Sequence, residues 1–198
     1  ENNSHIRFLM EQAGKAEQKP DLIVLPEMWN TGYALDRIQE LADEEGTVTR
    51  AWIAAFAATH QVNIVAGSIA EKKSDGHVYN TMLVFGRTGT AVASYSKIHL
   101  FRLMDEEKYL QPGEEKVVFA LDGGIQAGAS ICYDIRFPEL ARSLALSGAN
   151  LLIVPAEWPH PRLHHWRTLL TARVIENQMY VIACNRVGRS GDTDFFGH

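Results

Sequence analysis

Residues 125–139, IQAGASICYDIRFPE, restrict the fold more than any other part of the chain. Ile125, Ala127, Ala129 and Ile131 alternate with Gln126, Gly128, Ser130 and Cys132, the period of a β-strand. Pro138 suits a first helical turn, and Leu140, Leu144 and Gly148 follow at helical spacing, with Asp134 in the N-cap region. A strand running straight into a helix belongs to a layered α/β architecture. It also leaves Cys132 at a sharp turn on the C-terminal edge of the strand. Backbone N–H groups and the positive end of the next helix meet there, where they lower a thiol pKa and receive an oxyanion. Most free cysteines are merely small buried hydrophobes, so the rest of the chain has to decide.

Other apolar segments end in the same way. DLIVL, residues 21–25, is a short continuous apolar run, as in a strand covered on both faces, and stops at Pro26-Glu27-Met28-Trp29. A glutamate in a surface loop would be the ordinary reading of Glu27. Its proline and aromatic neighbours favour partial desolvation, which raises a carboxyl pKa and suits it to act as a base. Residues 150–155 form a second such strand, followed by Ala156-Glu157-Trp158-Pro159. Strands are expected over 62–69 and 78–85, as a hairpin across the turn at 72–76, and over 90–96, 116–120 and 180–185. Lys97 closes the 90–96 strand, where a lysine is ordinarily a snorkelling edge residue.

Helices are expected over 4–18 (stripe Ile6, Leu9, Met10, Ala13), 36–45, and 48–59 (stripe Val48, Trp52, Ala55, Phe56). Two more cover 138–147 and 162–178, the last with Leu163, Trp166, Leu170 and Val174 inward. Residues 104–113 carry no stripe, include three consecutive acids and end in Pro-Gly, which predicts a loop.

A chain of 198 residues fits one domain. Its net charge of −5 argues against nucleic acid as a partner. No apolar run approaches the roughly 20 residues that span a bilayer, and no signal-peptide pattern opens the chain. Cys132 and Cys184 are too few for a disulfide framework, which fits a reducing cytoplasm. The chain opens on Glu1 inside a helical pattern and closes at Gly197-His198 straight after Phe195-Phe196, so it reads as a domain truncated at both ends. No phosphate-binding glycine loop occurs, and no cofactor is implied.

Glu27, Lys97 and Cys132 thus stand at comparable strand ends. With their surroundings, LPEMWNTGY, YSKIHLF and SICYDIRFPEL, they resemble the nitrilase superfamily of carbon–nitrogen hydrolases, whose catalytic set runs glutamate, lysine, cysteine. PAEWP and HHWRTLLTARVIENQMYVIACNRVG are similar to its ω-amidase branch, which acts on 2-oxo acid amides. The resemblance runs across essentially the whole chain. It implies a four-layer α-β-β-α sandwich, paired into homodimers through its helical faces, acting on a small-molecule amide and water with no metal. It makes Cys132 the nucleophile, Glu27 the general base and Lys97 the oxyanion donor, helped by the Tyr133 N–H. The chemistry asks for such neighbours in any case, because a thiol of pKa about 8.5 is mostly protonated at neutral pH.

The family's second glutamate matches Glu106 best, counting back from Pro112-Gly113, with Glu107 as the alternative. Tyr133, Arg136 and Trp158 are candidates for holding substrate, although a salt bridge from Arg136 to Glu139 would be the more ordinary use of that arginine. Arg173 and Glu176 read as a pair on the long helix, and Cys184 as core.

Three rival readings remain open at this point. Ser94 and Lys97 fit the S-x-x-K pattern of serine acyl enzymes, but on a strand and without K-T-G or S-D-N partners. His160, His164 and His165 cluster without the H-E-x-x-H pattern of a metal hydrolase. A non-catalytic scaffold would keep the fold alone. Nitrile or N-carbamoyl hydrolysis would use the same catalytic set as an amidase.

Overall fold

Apolar and β-branched segments pair into two larger sheets, each covered on its outer face by helices, and a separate two-stranded hairpin. The computed structural model describes residues 2–190 and 193–197. In chain order the elements are α1 (Asn2–Gly14), β1 (Leu22–Val24), α2 (Ile38–Leu41), β2 (Asp43–Glu44), α3 (Thr47–His60), β3 (Asn63–Lys72), β4 (Val78–Phe85) and β5 (Ala91–Ser96). There follow α4 (Glu106–Tyr109), β6 (Val118–Leu121), β7 (Ile125–Ala129), α5 (Pro138–Leu146), β8 (Leu151–Ala156), α6 (Leu163–Asn177), β9 (Tyr180–Asn185), β10 (Val187–Ser190) and β11 (Thr193–Phe196). The first sheet runs β1-β3-β4-β5, with β2 also on β3; the second runs β6-β7-β8-β9. β1 and β3 are parallel, as are β7, β8 and β9, whereas β3-β4-β5 is an antiparallel meander.

The period of two along the strands sorts their side chains between layers. Ile64, Ala66, Leu83 and Phe85 pack on Ile6 and Met10 of α1 and Ile53 and Phe56 of α3. Val65, Met82, Val84 and Tyr95 instead join Phe119, Ala127, Ala129, Leu152 and Val154 of the second sheet in one core, continued outward by Leu144 of α5 and Trp166 of α6. The order of layers is therefore α-β-β-α, as the resemblance implies. No helix among the described residues is long and apolar enough to cross a membrane.

One irregularity sets the position of Glu27. The β3–β4 register shifts between Val65 and Ser68, and Gly67 sits there at φ +56°. The missing side chain lets the chain leaving β1 press against β3: Ser68 N–H donates to the Pro26 carbonyl, and Met28 N–H to Ser68 Oγ. A Cβ at Gly67 would fall well inside contact distance of the Leu25 and Pro26 carbonyl oxygens. Gly67→Ala is expected to destabilise the fold by on the order of 3 kcal/mol, from positive φ plus backbone overlap, measured as a fall in thermal midpoint. A midpoint unchanged within error would show that the β1 exit loop is not held in this way.

Several elements differ from the sequence expectation. Residues 104–113 contain a 3-10 turn and the single-turn helix α4 rather than a plain loop, and Glu106 at its start is buried. Residues 36–45 hold only a 3-10 turn, α2 and the two-residue β2. The inward face of α3 is Thr49, Ile53, Phe56 and Ala57, while Val48 is 65% exposed. α1 likewise turns Leu9 outward and buries Met10. The β10–β11 hairpin carries no alternation marked enough to be predicted.

Candidate active site

Three strand exits deliver the functional side chains to one point between the sheets. Glu27 follows β1, Lys97 follows β5, and Cys132 opens a 3-10 turn, Cys132–Arg136, after β7. Cys132 has φ +46°, a left-handed conformation that a β-carbon disfavours. Asp134 offsets that strain. Its buried carboxylate accepts from the Ile131 N–H (2.9 Å) and Tyr95 hydroxyl (2.7 Å) through Oδ2, and from the His99 N–H (3.0 Å) through Oδ1. His99 Nδ1 lies 2.8 Å from the same Oδ1, and its ring stacks on Phe137 at 3.6 Å. Asp134 thereby ties the turn of Cys132 to the strand exit that carries Lys97.

Lys97 is fully buried, with Nζ 2.9 Å from Glu27 Oε1 and 2.9 Å from Glu106 Oε1. Burial alone would push its pKa down, but the two carboxylates raise it well above the usual lysine value, so it is an ammonium. Glu27 Oε1 also accepts from Tyr33 Oη (2.8 Å) and Asn80 Nδ2 (2.8 Å), and its Oε2 from the Glu157 N–H (2.8 Å). Burial drives the Glu27 pKa up, yet Lys97 and the hydrogen bonds from Cys132 and Tyr33 outweigh it and hold the carboxyl below its ordinary value. Glu106 is raised instead, by burial and by the charge of Glu27, despite Lys97 and Tyr33; its Oε2 accepts from the Phe101 N–H (2.9 Å). Glu107, one residue on, is exposed.

The Cys132 thiol interacts with both ends of this network. Burial and the Glu27 charge push its pKa well above the ordinary thiol value, only partly offset by Lys97, so the resting group is a neutral thiol hydrogen-bonded to Glu27. At the start of the 3-10 turn the Tyr133 N–H has no acceptor within the turn. A thiol, a carboxylate that can take its proton and an ammonium can together perform acyl transfer.

The cleft that reaches Cys132 is lined by Tyr33, Phe101, Met104, Tyr133, Arg136, Glu157, Trp158, Pro159 and Arg162. Tyr133, Arg136 and Trp158 thus lie together beside the thiol. Arg136 does not pair with Glu139: its guanidinium lies over the Trp158 ring at 5.1 Å and the Tyr133 ring at 5.7 Å, and 3.3 Å from His165 Nδ1. Glu139 is exposed, on the first turn of α5. Arg173 does pair with Glu176, at 2.8 Å. Cys184 is half-buried on β9 rather than in the core, and burial pushes its thiol up to about 11.

Three residues of the site, Tyr33, Asn80 and Arg162, have no local sequence signal, whereas Glu157 ends an apolar run much as Glu27 does and that signal could have found it. Tyr33 bridges Glu27 and Glu106 with a hydroxyl that burial and both carboxylates keep protonated. Glu157 is paired with Arg186 on one oxygen, while the other has no partner among the described residues. Burial pushes it up to about 7, with Arg186 opposing and the Glu27 charge adding. Between pH 4.5 and 7 the folded state therefore holds a proton that the unfolded state has released, and stability falls as pH rises through that window by on the order of 3 kcal/mol. Glu157→Gln is expected to flatten the decline in thermal midpoint between pH 5 and 8; an unchanged slope would refute the assignment.

The comparisons agree with this geometry. The model of the family described as carbon-nitrogen hydrolase matches residues 2–198. A Bacillus subtilis (strain 168) protein named 2-oxoglutaramate amidase is 48% identical over 198 residues, all of this chain and 74% of the relative. The crystal structure of Saccharomyces cerevisiae Nit3, a member of branch 10 of the nitrilase superfamily, superposes with a TM-score of 0.90 at 28% identity, over 100% of this chain and 74% of that one. A variant of an amidase from Nesterenkonia sp. AN1, with acrylamide added at its active-site cysteine, gives a TM-score of 0.88 at 26% identity, over 98% and 77% of the two chains. A family match spanning the chain, joined to the same layering, makes this protein a member of the carbon–nitrogen hydrolase family.

Proposed function

We propose that this protein is a cysteine-dependent amidase that hydrolyses the ω-amide of a short 2-oxo dicarboxylate, such as 2-oxoglutaramate, to the acid and ammonia. The observation that carries the reading is the convergence of Glu27, Lys97, Glu106 and Cys132 around one buried ammonium at the base of a cleft. The substrate class rests on the 48% identity to the Bacillus subtilis protein of that name.

Glu27 takes the Cys132 proton as sulfur attacks the amide carbon. The carbonyl electrons move onto oxygen, held by Lys97 Nζ and the Tyr133 N–H. The proton passes from Glu27 to nitrogen, the C–N bond breaks, and ammonia leaves a thioester on Cys132. Glu27 then takes a proton from water as its oxygen attacks the thioester; the C–S bond breaks and Glu27 returns the proton to sulfur. Glu106 and Tyr33 act through Lys97 and Glu27 by fixing their positions, and Tyr133, Arg136 and Trp158 hold the substrate.

The 198 residues act as one hydrolase domain in a cytoplasmic homodimer. Two free thiols favour the reducing compartment, and Leu146 and Ile175, 81% and 71% exposed on α5 and α6, favour pairing through that helical face.

The test is ammonia release across 2-oxo acid amides, simple aliphatic amides, nitriles and N-carbamoyl amino acids. The 2-oxo acid amides should give the highest kcat/KM. Higher values for nitriles or carbamoyl compounds would overturn the substrate assignment, and no ammonia from any class would leave the scaffold reading.

A further inference from the structure

The carboxyl end of the proposed substrate needs a cation, and the base of the cleft has none to spare. Lys97 is shared by Glu27 and Glu106, and Arg186 is paired with Glu157, so three carboxyl groups there face two cations. A substrate carboxylate brought to the base would meet no unpaired cation. Two other cations line the same cleft, Arg136 and Arg162.

Both differ from the other arginines of the fold, which either contact a carboxylate or are exposed. Arg37, Arg50, Arg87, Arg173 and Arg186 each contact a carboxylate. The guanidiniums of Arg136 and Arg162 have no carboxylate partner among the described residues, although both side chains are half-buried. Each lies over aromatic rings: Arg136 over Trp158 and Tyr133, Arg162 over Phe101 at 5.7 Å. A stacked guanidinium keeps edge donors available, although Arg136 Nη2 also lies 3.3 Å from His165 Nδ1, and it loses little rotamer freedom on binding. The backbone of Arg162 is fixed as well, since Trp158 Nε1 donates to its carbonyl at 2.9 Å within a 3-10 turn, His160–Arg162, that follows Pro159. Two half-buried guanidiniums without a carboxylate partner among the described residues, lining one cleft, suit an anionic group.

We infer that Arg136 and Arg162 together form the subsite for the substrate's distal carboxylate, and that this clamp sets both the preference for an anionic amide and the amide-inward orientation. The inference rests on the substrate reading given above. Paired cations at the base and unpaired guanidiniums at the mouth then sort the two ends of a molecule that carries an amide at one end and a carboxylate at the other. Arg162 is the residue the sequence alone did not single out.

The experiment compares kcat/KM for 2-oxoglutaramate with that for pentanamide, a neutral amide of equal chain length, in the full-length enzyme. In the unaltered enzyme the ratio should strongly favour 2-oxoglutaramate, and glutarate should inhibit pentanamide hydrolysis competitively. Arg162→Gln and Arg136→Gln should each lower the ratio by about 10- to 100-fold, chiefly through KM for the anionic amide, as expected for loss of a charge-assisted hydrogen-bonding partner. Arg162→Lys, which keeps the charge but not the planar fork, should fall between. A ratio retained in both glutamine variants, or absence of inhibition by glutarate in an enzyme that still prefers 2-oxoglutaramate, would overturn the inference and leave the substrate reading standing. No preference for the anionic amide in the unaltered enzyme would overturn the substrate reading itself.

Discussion

Cys132→Ala is expected to lower ammonia release by about 10⁴-fold or more, because the acyl intermediate forms on its sulfur. Cys184→Ala should leave turnover close to that of the parent, since its half-buried thiol sits on β9 and is pushed up to about 11. The sharper companion is Glu27→Gln. Removing that charge eases ionisation of Cys132, because the Glu27 carboxylate is among the groups that raise the thiol pKa. If thiolate content limited the rate, the variant would be faster. We expect it to be slower by about 10²–10⁴-fold, since a glutamine can neither carry the sulfur proton to the departing nitrogen nor activate water. Steady-state ammonia release, with single-turnover acylation measured alongside, separates the two. A Glu27→Gln enzyme at or above parental turnover would remove Glu27 from the role of base.

The parts of this site that were legible in the sequence are those with a local pattern. Cys132 stands out because the period changes from strand to helix across it, and Glu27 because a continuous apolar run stops at Pro-Glu. Lys97 had no such mark. A lysine ending a strand is ordinarily a surface residue, and only its order between the other two, with the words around it, suggested otherwise. Tyr33 and Asn80 were invisible because their partners are distant: Tyr33 meets Glu106 73 positions away, and Asn80 meets Glu27 53 positions away. Glu106 and Glu107 could not be separated because adjacent residues on a one-turn helix point about 100° apart. Docking of Glu106 onto Lys97 and the Phe101 N–H turns one inward and the other out.

The layers were legible for a similar reason and their details were not. Continuous apolar runs mark β3 and β8, which are buried along almost their whole length. The inward face of α3 lies one position on from the stripe that the sequence predicts. Its start is fixed by the left-handed Gly46 and by Asp43 accepting from the Val48 and Thr49 N–H groups, neither of which appears in a hydrophobic stripe. The strain at Gly67 was equally hidden, because a glycine in a strand does not reveal which backbone approaches it.

Lys97→Ala should show that one ammonium serves both stability and chemistry. Loss of the oxyanion donor is expected to cost about 10²–10³-fold in turnover. Stability should fall by about 3–5 kcal/mol, the usual result of removing one partner from a buried charge network. The dependence on pH then identifies the cause. Without the ammonium, Glu27 and Glu106 cannot both remain ionised in a buried site, so the folded protein retains a proton and the pair's pKa rises above its unfolded value. A raised folded-state pKa contributes stability that is present at acid pH and lost as pH climbs through it. The gap between parent and variant should therefore be small near pH 5 and widen towards pH 8, measured by denaturant unfolding at both. Lys97→Met, which fills the volume without charge, should reproduce that slope. A gap independent of pH would mean that packing, and not the shared charge, is what Lys97 supplies to the fold, and the two carboxylates would then not be competing for a single cation.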